Sequence, residues 1–295
     1  TGIMKGGFAI DVAYNGMTSD GYIRNGFCDH QSLFLSASRY GERSLLKAIA
    51  IIGKQKTGIT WNGAYAEELD ADPTYNSAGI YYDELGNPYY YGNETDNYFQ
   101  RHYQLYYTYT PSSSWSINVA GDYTPGDGYY ENYKDDKKPG KYGLDKLEGA
   151  MSKSDYIVRK AMHNNAFTLL ANARYTHNKM RLSFGGPGLY FVGDHYGNLQ
   201  WAQDAARLTA NGVALTDCID TYEFYRNQGN KQDFTAFARL DYDFSSAMNA
   251  YLDLQFRHVH YTIEGTDDDY GTLAYDGAFP FFNPKAGWNW LIDRK

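Results

Sequence analysis

The chain has 295 residues, 43% of them hydrophobic and 17% aromatic, with a formal net charge of −8. The acidic balance carries no basic stripe of the kind a nucleic-acid binder needs. No run approaches the roughly 18 apolar residues of a transmembrane helix, and Cys28 and Cys218 show no zinc-binding spacing.

Alternating apolar and polar residues predict strands near 5–14, 30–39, 44–54, 98–109, 115–124, 164–176, 180–191, 232–244, 249–262 and 282–293. Four connections are short: Arg39 to Ser44, Thr110 to Trp115, Thr176 to Met180 and Asp243 to Met248. Between them lie long segments rich in Gly, Asn, Asp and Tyr, near 15–29, 55–97, 125–163, 192–231 and 263–281. Short and long connections alternate without a break, so every long one falls at the same end of a sheet. Outer-membrane barrels have this asymmetry; soluble sandwiches and propellers have no reason for it.

The stretch from Phe234 to Arg257 shows the pattern residue by residue. Phe234, Ala236, Ala238, Leu240, Tyr242 and Phe244 share one face, and Thr235, Phe237, Arg239, Asp241 and Asp243 share the other. On the return strand Ala250, Leu252, Leu254 and Phe256 oppose Asp253, Gln255 and Arg257. Both strands exceed the roughly 5–6 residues usual in soluble sheets and reach the ~9–11 of a tilted bilayer crossing. The predicted fold class is all-β: a transmembrane antiparallel β-barrel with short periplasmic turns and long extracellular loops. A soluble β-rich protein, such as a carbohydrate-active one, is the alternative.

No nucleophile elbow, P-loop, dinucleotide fingerprint or HExxH motif is present, so the chain reads as a non-enzyme without a cofactor. The lysines of the segment Tyr133 to Gly143 are interleaved with Asp, which reads as a solvated loop. His258 and His260 lie on one strand face and read as an interfacial pair, and Asp267 to Asp269 as a solvated tip. Ser152 with Asp155 resembles a helix start within 145–163. The two cysteines fall in predicted loops and can pair or both stay free. Among 31 tyrosines and 5 tryptophans, Trp61, Tyr90, Tyr91, Trp201, Tyr222 and Tyr225 lie in the long loops and are the candidates for stacking on a ligand.

Three stretches carry a family resemblance: Thr18 to Ala48, Asn93 to Lys134 and Phe281 to Trp290. The most telling pieces are YYENYK after a G-x-G, and FNPKAG opening a late strand. They resemble the barrel domain of TonB-dependent outer-membrane receptors, chiefly the Bacteroidetes type. The resemblance implies a barrel of about 22 strands around a plug, located in the bacterial outer membrane. It implies uptake of a scarce bulky solute such as an iron chelate, haem or cobalamin. The implied partners are outer-membrane lipid and lipopolysaccharide, the TonB complex acting through the plug, the small-molecule ligand, and a surface-exposed lipoprotein; no nucleic acid is implied. The chain departs from the family pattern in three ways. No plug-like segment precedes residue 5, no TonB box is identifiable, and the final LIDRK is not a terminal aromatic strand. Residues 1–295 are therefore expected to form part of a barrel, with the plug and remaining strands elsewhere. A barrel receptor or adhesin without transport is the other membrane reading.

Overall fold

The computed structural model describes residues 1–210 and 212–292. Ten long strands form one sheet, ordered as in the sequence. They are β1 (Phe8–Ser19), β2 (Cys28–Tyr40), β3 (Ser44–Gly58), β4 (Thr95–Ser112), β5 (Trp115–Lys137), β6 (Ser154–His177), β7 (Met180–Ala202), β8 (Glu223–Ser245), β9 (Met248–Thr266) and β10 (Thr272–Trp290). Every neighbouring pair is antiparallel. The sheet is open, with β1 and β10 at its edges. The predicted continuation of the last strand through Asp293 lies outside the described residues.

All ten predicted strands are present, but most run further toward the long loops than the pattern shows. The loops shrink accordingly to 20–27, 59–94, 138–153, 203–222 and 267–271. The reason is chemical. Strands β5 to β8 have 23 or 24 residues, more than twice a bilayer crossing. Their upper halves carry polar residues on both faces, so hydropathy alternation fades while the backbone ladder continues. No α-helix forms in 145–163; a 3-10 turn, Leu144–Lys146, only touches its start. Asp155 instead accepts hydrogen bonds from the Tyr133 hydroxyl at 2.7 Å and the Asp136 backbone N–H at 2.8 Å, at the start of β6. The α-helix found among the described residues is Ala66–Ala71. Cys28 opens β2 rather than lying in a loop, and both cysteines are free thiols.

Register fixes the two faces, because directly paired residues share a side. On one face Leu240 pairs with Leu252, Ala238 with Leu254 and Ala236 with Phe256. Phe234, Leu240, Phe244, Leu252, Leu254 and Phe256 are 38–54% exposed there. The opposite face of these strands and of the adjoining β7 carries ion pairs. Arg257 meets Asp233 at 2.6 Å, Arg239 meets Asp241 at 2.8 Å, and Arg181 meets Asp243 at 2.6 Å.

The apolar face is bounded by aromatics at both ends. Near the short turns, Trp115 packs on Tyr175 at 4.8 Å, Tyr242 on Phe244 at 5.0 Å, and Trp288 on Trp290 at 6.4 Å. Toward the loops, Tyr123 stacks on Tyr103 at 6.3 Å and on Phe167 at 4.6 Å. Just beyond that row the same face turns ionic. Arg101 pairs with Asp127 at 2.5 Å and Arg159 with Glu131 at 2.6 Å, and His163 also bonds Asp127. Phe234 to Phe244 spans about 33 Å of strand, which a tilt of roughly 40° reduces to ~25 Å, the height of an outer-membrane barrel's apolar band.

Candidate functional site

The buried core sits at the loop end, not in the middle of the sheet. Segments 138–153 and 203–222 fold over the polar face and bury Tyr142, Leu144, Tyr156, Val158, Leu199, Leu208, Leu215 and Phe224 together. Tyr156 and Val158 project from β6 and Leu199 from β7, on the same side as the ion pairs, so the cap closes over that face. A Cβ at Gly197 would lie 2.4 Å from both the Phe224 and Tyr225 rings, so glycine is what admits them.

Segment 59–94 straddles the tip of β5. Buried Glu94 anchors it, accepting from the Tyr133 backbone N–H at 2.8 Å and the Asn132 amide at 2.5 Å. Burial pushes the Glu94 carboxyl above the usual range, against the pull of those two bonds. Tyr91 donates its hydroxyl to Glu131 at 2.5 Å, and burial followed by that carboxylate raises its phenol.

The structure divides the six aromatic candidates. Trp61 lies on the polar-face side, edge-on to Tyr130 at 5.3 Å and 57% exposed. Tyr90 is exposed, with the Arg24 guanidinium 4.2 Å above its ring. Tyr91 and Trp201 join a stack on the other side of the β5 tip, where Tyr81 lies 4.6 Å and Trp201 6.3 Å from Tyr133. Tyr222 is part of the cap, donating its hydroxyl to the Tyr142 carbonyl at 3.0 Å. Tyr225 packs edge-on to Phe224 at 5.2 Å, and the Lys160 ammonium lies 5.9 Å from its ring. The six do not converge on one point.

A recess the aromatic pattern did not indicate lies beside Tyr130, the partner of Trp61. It measures about 170 Å³ and is lined by Lys134, Lys137, Lys141 and Lys160, with Tyr130, Asn132, Tyr142, Val158, Phe224 and Asp268. Three of these lysines come from the segment that the sequence reads as a solvated loop. The Asp267–Asp269 tip is not merely solvated either: Asp268 pairs with Lys160. Asp267 closes the turn, accepting from the Gly271 N–H at 2.6 Å. The signal available in the sequence was the lysine density around Lys137; the position of Lys160 was not legible.

His260 pairs with Asp276 at 2.7 Å near the aromatic boundary. Among the described residues no group of three His, Cys, Asp or Glu side chains is placed to hold a metal ion. A wide depression on the apolar face, lined by Val12, Leu35, Tyr103, Tyr123, Phe167 and Leu169 among others, has almost no polar surface and is separate from the loop-end recess.

The ten-stranded antiparallel sheet shares its fold with part of the barrel in solved outer-membrane receptors. The unliganded ferric citrate transporter FecA superposes with a TM-score of 0.65 at 10% identity, over 99% of this chain and 38% of that one. The ferric-catecholate import receptor Fiu from E. coli K12 gives 0.57 at 12% identity, covering 97% and 47%. The ferric yersiniabactin uptake receptor FyuA from Yersinia pestis gives 0.57 at 9% identity, covering 97% and 39%. The chain thus spans less than half the length of these structures. No family model and no curated protein matches it.

Proposed function

We propose that this chain forms part of the wall and loop crown of a TonB-dependent outer-membrane receptor that takes up a scarce bulky solute. The observation that carries the reading is the two-faced sheet: an apolar face edged by aromatic rows at both ends, backed by an ionic face, with every long loop at one end. In water such a face would be an aggregation surface; in lipid it is solvated. The open edges β1 and β10 support a larger barrel, because unpaired strand edges are prohibitive in hydrocarbon. In this reading the receptor also has a plug, a TonB box and further strands. The motifs in Thr18 to Ala48 and Asn93 to Lys134 support a Bacteroidetes-type receptor. The three similar structures are a ferric citrate transporter, a ferric-catecholate import receptor and a ferric yersiniabactin uptake receptor, which makes iron chelates the first solutes to test.

Topology tests this reading. Epitope tags at Leu85, Lys146 and Val213, each in a different long loop, are expected to be reached by antibody on intact cells. Tags at Ser113 and Ser246, in the short turns, are expected to stay hidden until the envelope is opened. The reverse pattern would invert the barrel and remove the loops as a capture surface. A strain lacking the gene should lose uptake of its solute; normal uptake in that strain leaves the barrel as a non-transporting receptor or adhesin.

A further inference from the structure

We propose that the lysine-lined recess at the loop end of the polar face is an oxyanion site, taking a carboxylate or phosphate group carried by the captured solute. The inference rests on the receptor reading, which turns this face toward the lumen and sets the recess at its outer mouth.

Charge is the first argument. The chain as a whole is acidic, with 27 Lys and Arg against 35 Asp and Glu, yet four lysines meet around one recess with a single carboxylate in its lining. Asp268 is spent on Lys160. Lys134, Lys137 and Lys141 close no ion pair among the described residues. Three of the acids near them are already engaged. Glu94 accepts from Asn132 and Tyr133, Asp155 from Tyr133 and Asp136, and Asp136 pairs with Lys153. Ammonium groups gathered this closely repel one another, and a bound anion relieves the repulsion.

Placement is the second argument. A merely solvated loop would let its lysines spread into water. Here Lys134 and Lys160 stand on paired strands and share the polar face, Lys160 opposite Tyr130 and Lys134 opposite Tyr156 across β5 and β6. Lys141 is held within the turn Pro139–Tyr142, whose Tyr142 is locked in the cap. Tyr142, Val158 and Phe224 give the recess apolar walls, which strengthen a charge-assisted hydrogen bond relative to open water.

Size is the third. About 170 Å³ has room for an acid group and a few attached atoms but not for a whole bulky solute. A bulky solute would place only that group here, with its remainder in the lumen between Trp61 and Tyr225.

The test uses the full-length receptor in detergent. Citrate and inorganic phosphate are titrated separately by calorimetry, with glucose as the uncharged control. Saturable binding of at least one anion is expected, weakening as salt rises, with the preferred anion naming the acid group. Lys134→Gln/Lys137→Gln should weaken that binding about tenfold or more, and Lys134→Arg/Lys137→Arg should recover most of it. Lys54→Gln/Lys56→Gln, outside the recess, should leave it unchanged. If the glutamine pair fails to fold, Lys141→Gln alone replaces it, with a weaker but measurable loss. Absence of binding by either anion at millimolar concentration, or equal binding by wild type and recess variants, overturns the proposal. Correctly exposed loop tags together with absent anion binding would sink the oxyanion site alone. Inverted tags would sink the receptor reading beneath it.

Discussion

Leu252→Arg is expected to reduce folded protein in the membrane fraction sharply, whereas Gln255→Arg three residues away is expected to be tolerated. Leu252 lies on the apolar face between Leu240 and Ala286, 46% exposed. An arginine near the midplane of an outer-membrane barrel costs ~2–4 kcal/mol. Gln255 faces the other way, on the side of Asp253 and Arg257, where surface substitutions usually stay within about 0.5 kcal/mol. The sign separates the two environments. In water, replacing an exposed leucine with arginine would be neutral or would improve solubility. Heat-modified gel migration of both variants measures the folded fraction. Equal yields would end the membrane reading.

Leu215→Ala is expected to loosen the loop cap and leave the strand ladder intact. Leu215 is fully buried, and its N–H bonds the Leu208 carbonyl at 2.8 Å. Truncating a buried leucine costs about 2–5 kcal/mol, which is roughly thirtyfold or more in a local opening equilibrium. Hydrogen exchange should therefore accelerate by at least that factor in 138–147 and 205–222, where the cap is one packed unit. Exchange in the middles of β6, β7 and β8 should be unchanged. Because Tyr142 and Phe224 belong to both cap and recess, anion binding should fall with cap protection. Faster exchange across the whole barrel would mean that cap and wall unfold together, and the division argued here would fail.

Both predictions turn on what the chain's own order of residues already determines. The period-two pattern from Phe234 to Arg257 places Leu252 and Gln255 on opposite faces without knowledge of any contact, because side-chain direction along a strand is set by the backbone alone. Strand order is equally local: each short turn joins neighbours, so the sheet follows the sequence. The loop end follows from the same alternation of short and long connections.

The crown was not legible in this way. Above the aromatic row, polar residues occupy both faces of β5 and β6 among a few apolar ones, so periodicity stops marking where a strand ends or which way Lys134 and Lys160 point. Tyr222 and Tyr225 look like ligand aromatics in the sequence, but the first is locked within the cap, and the second packs against it, because long loops must bury something to become ordered. The recess is assembled from β5, β6, β8 and the turns at Lys141 and Asp268. Lys160 and Asp268 are far apart in the chain and meet only through pairing across successive strands and the fold of the last loop. Sequence order determined the wall, whose rules act between neighbours. Tertiary structure alone decided the site, since its charges are brought together by contacts that no local pattern encodes.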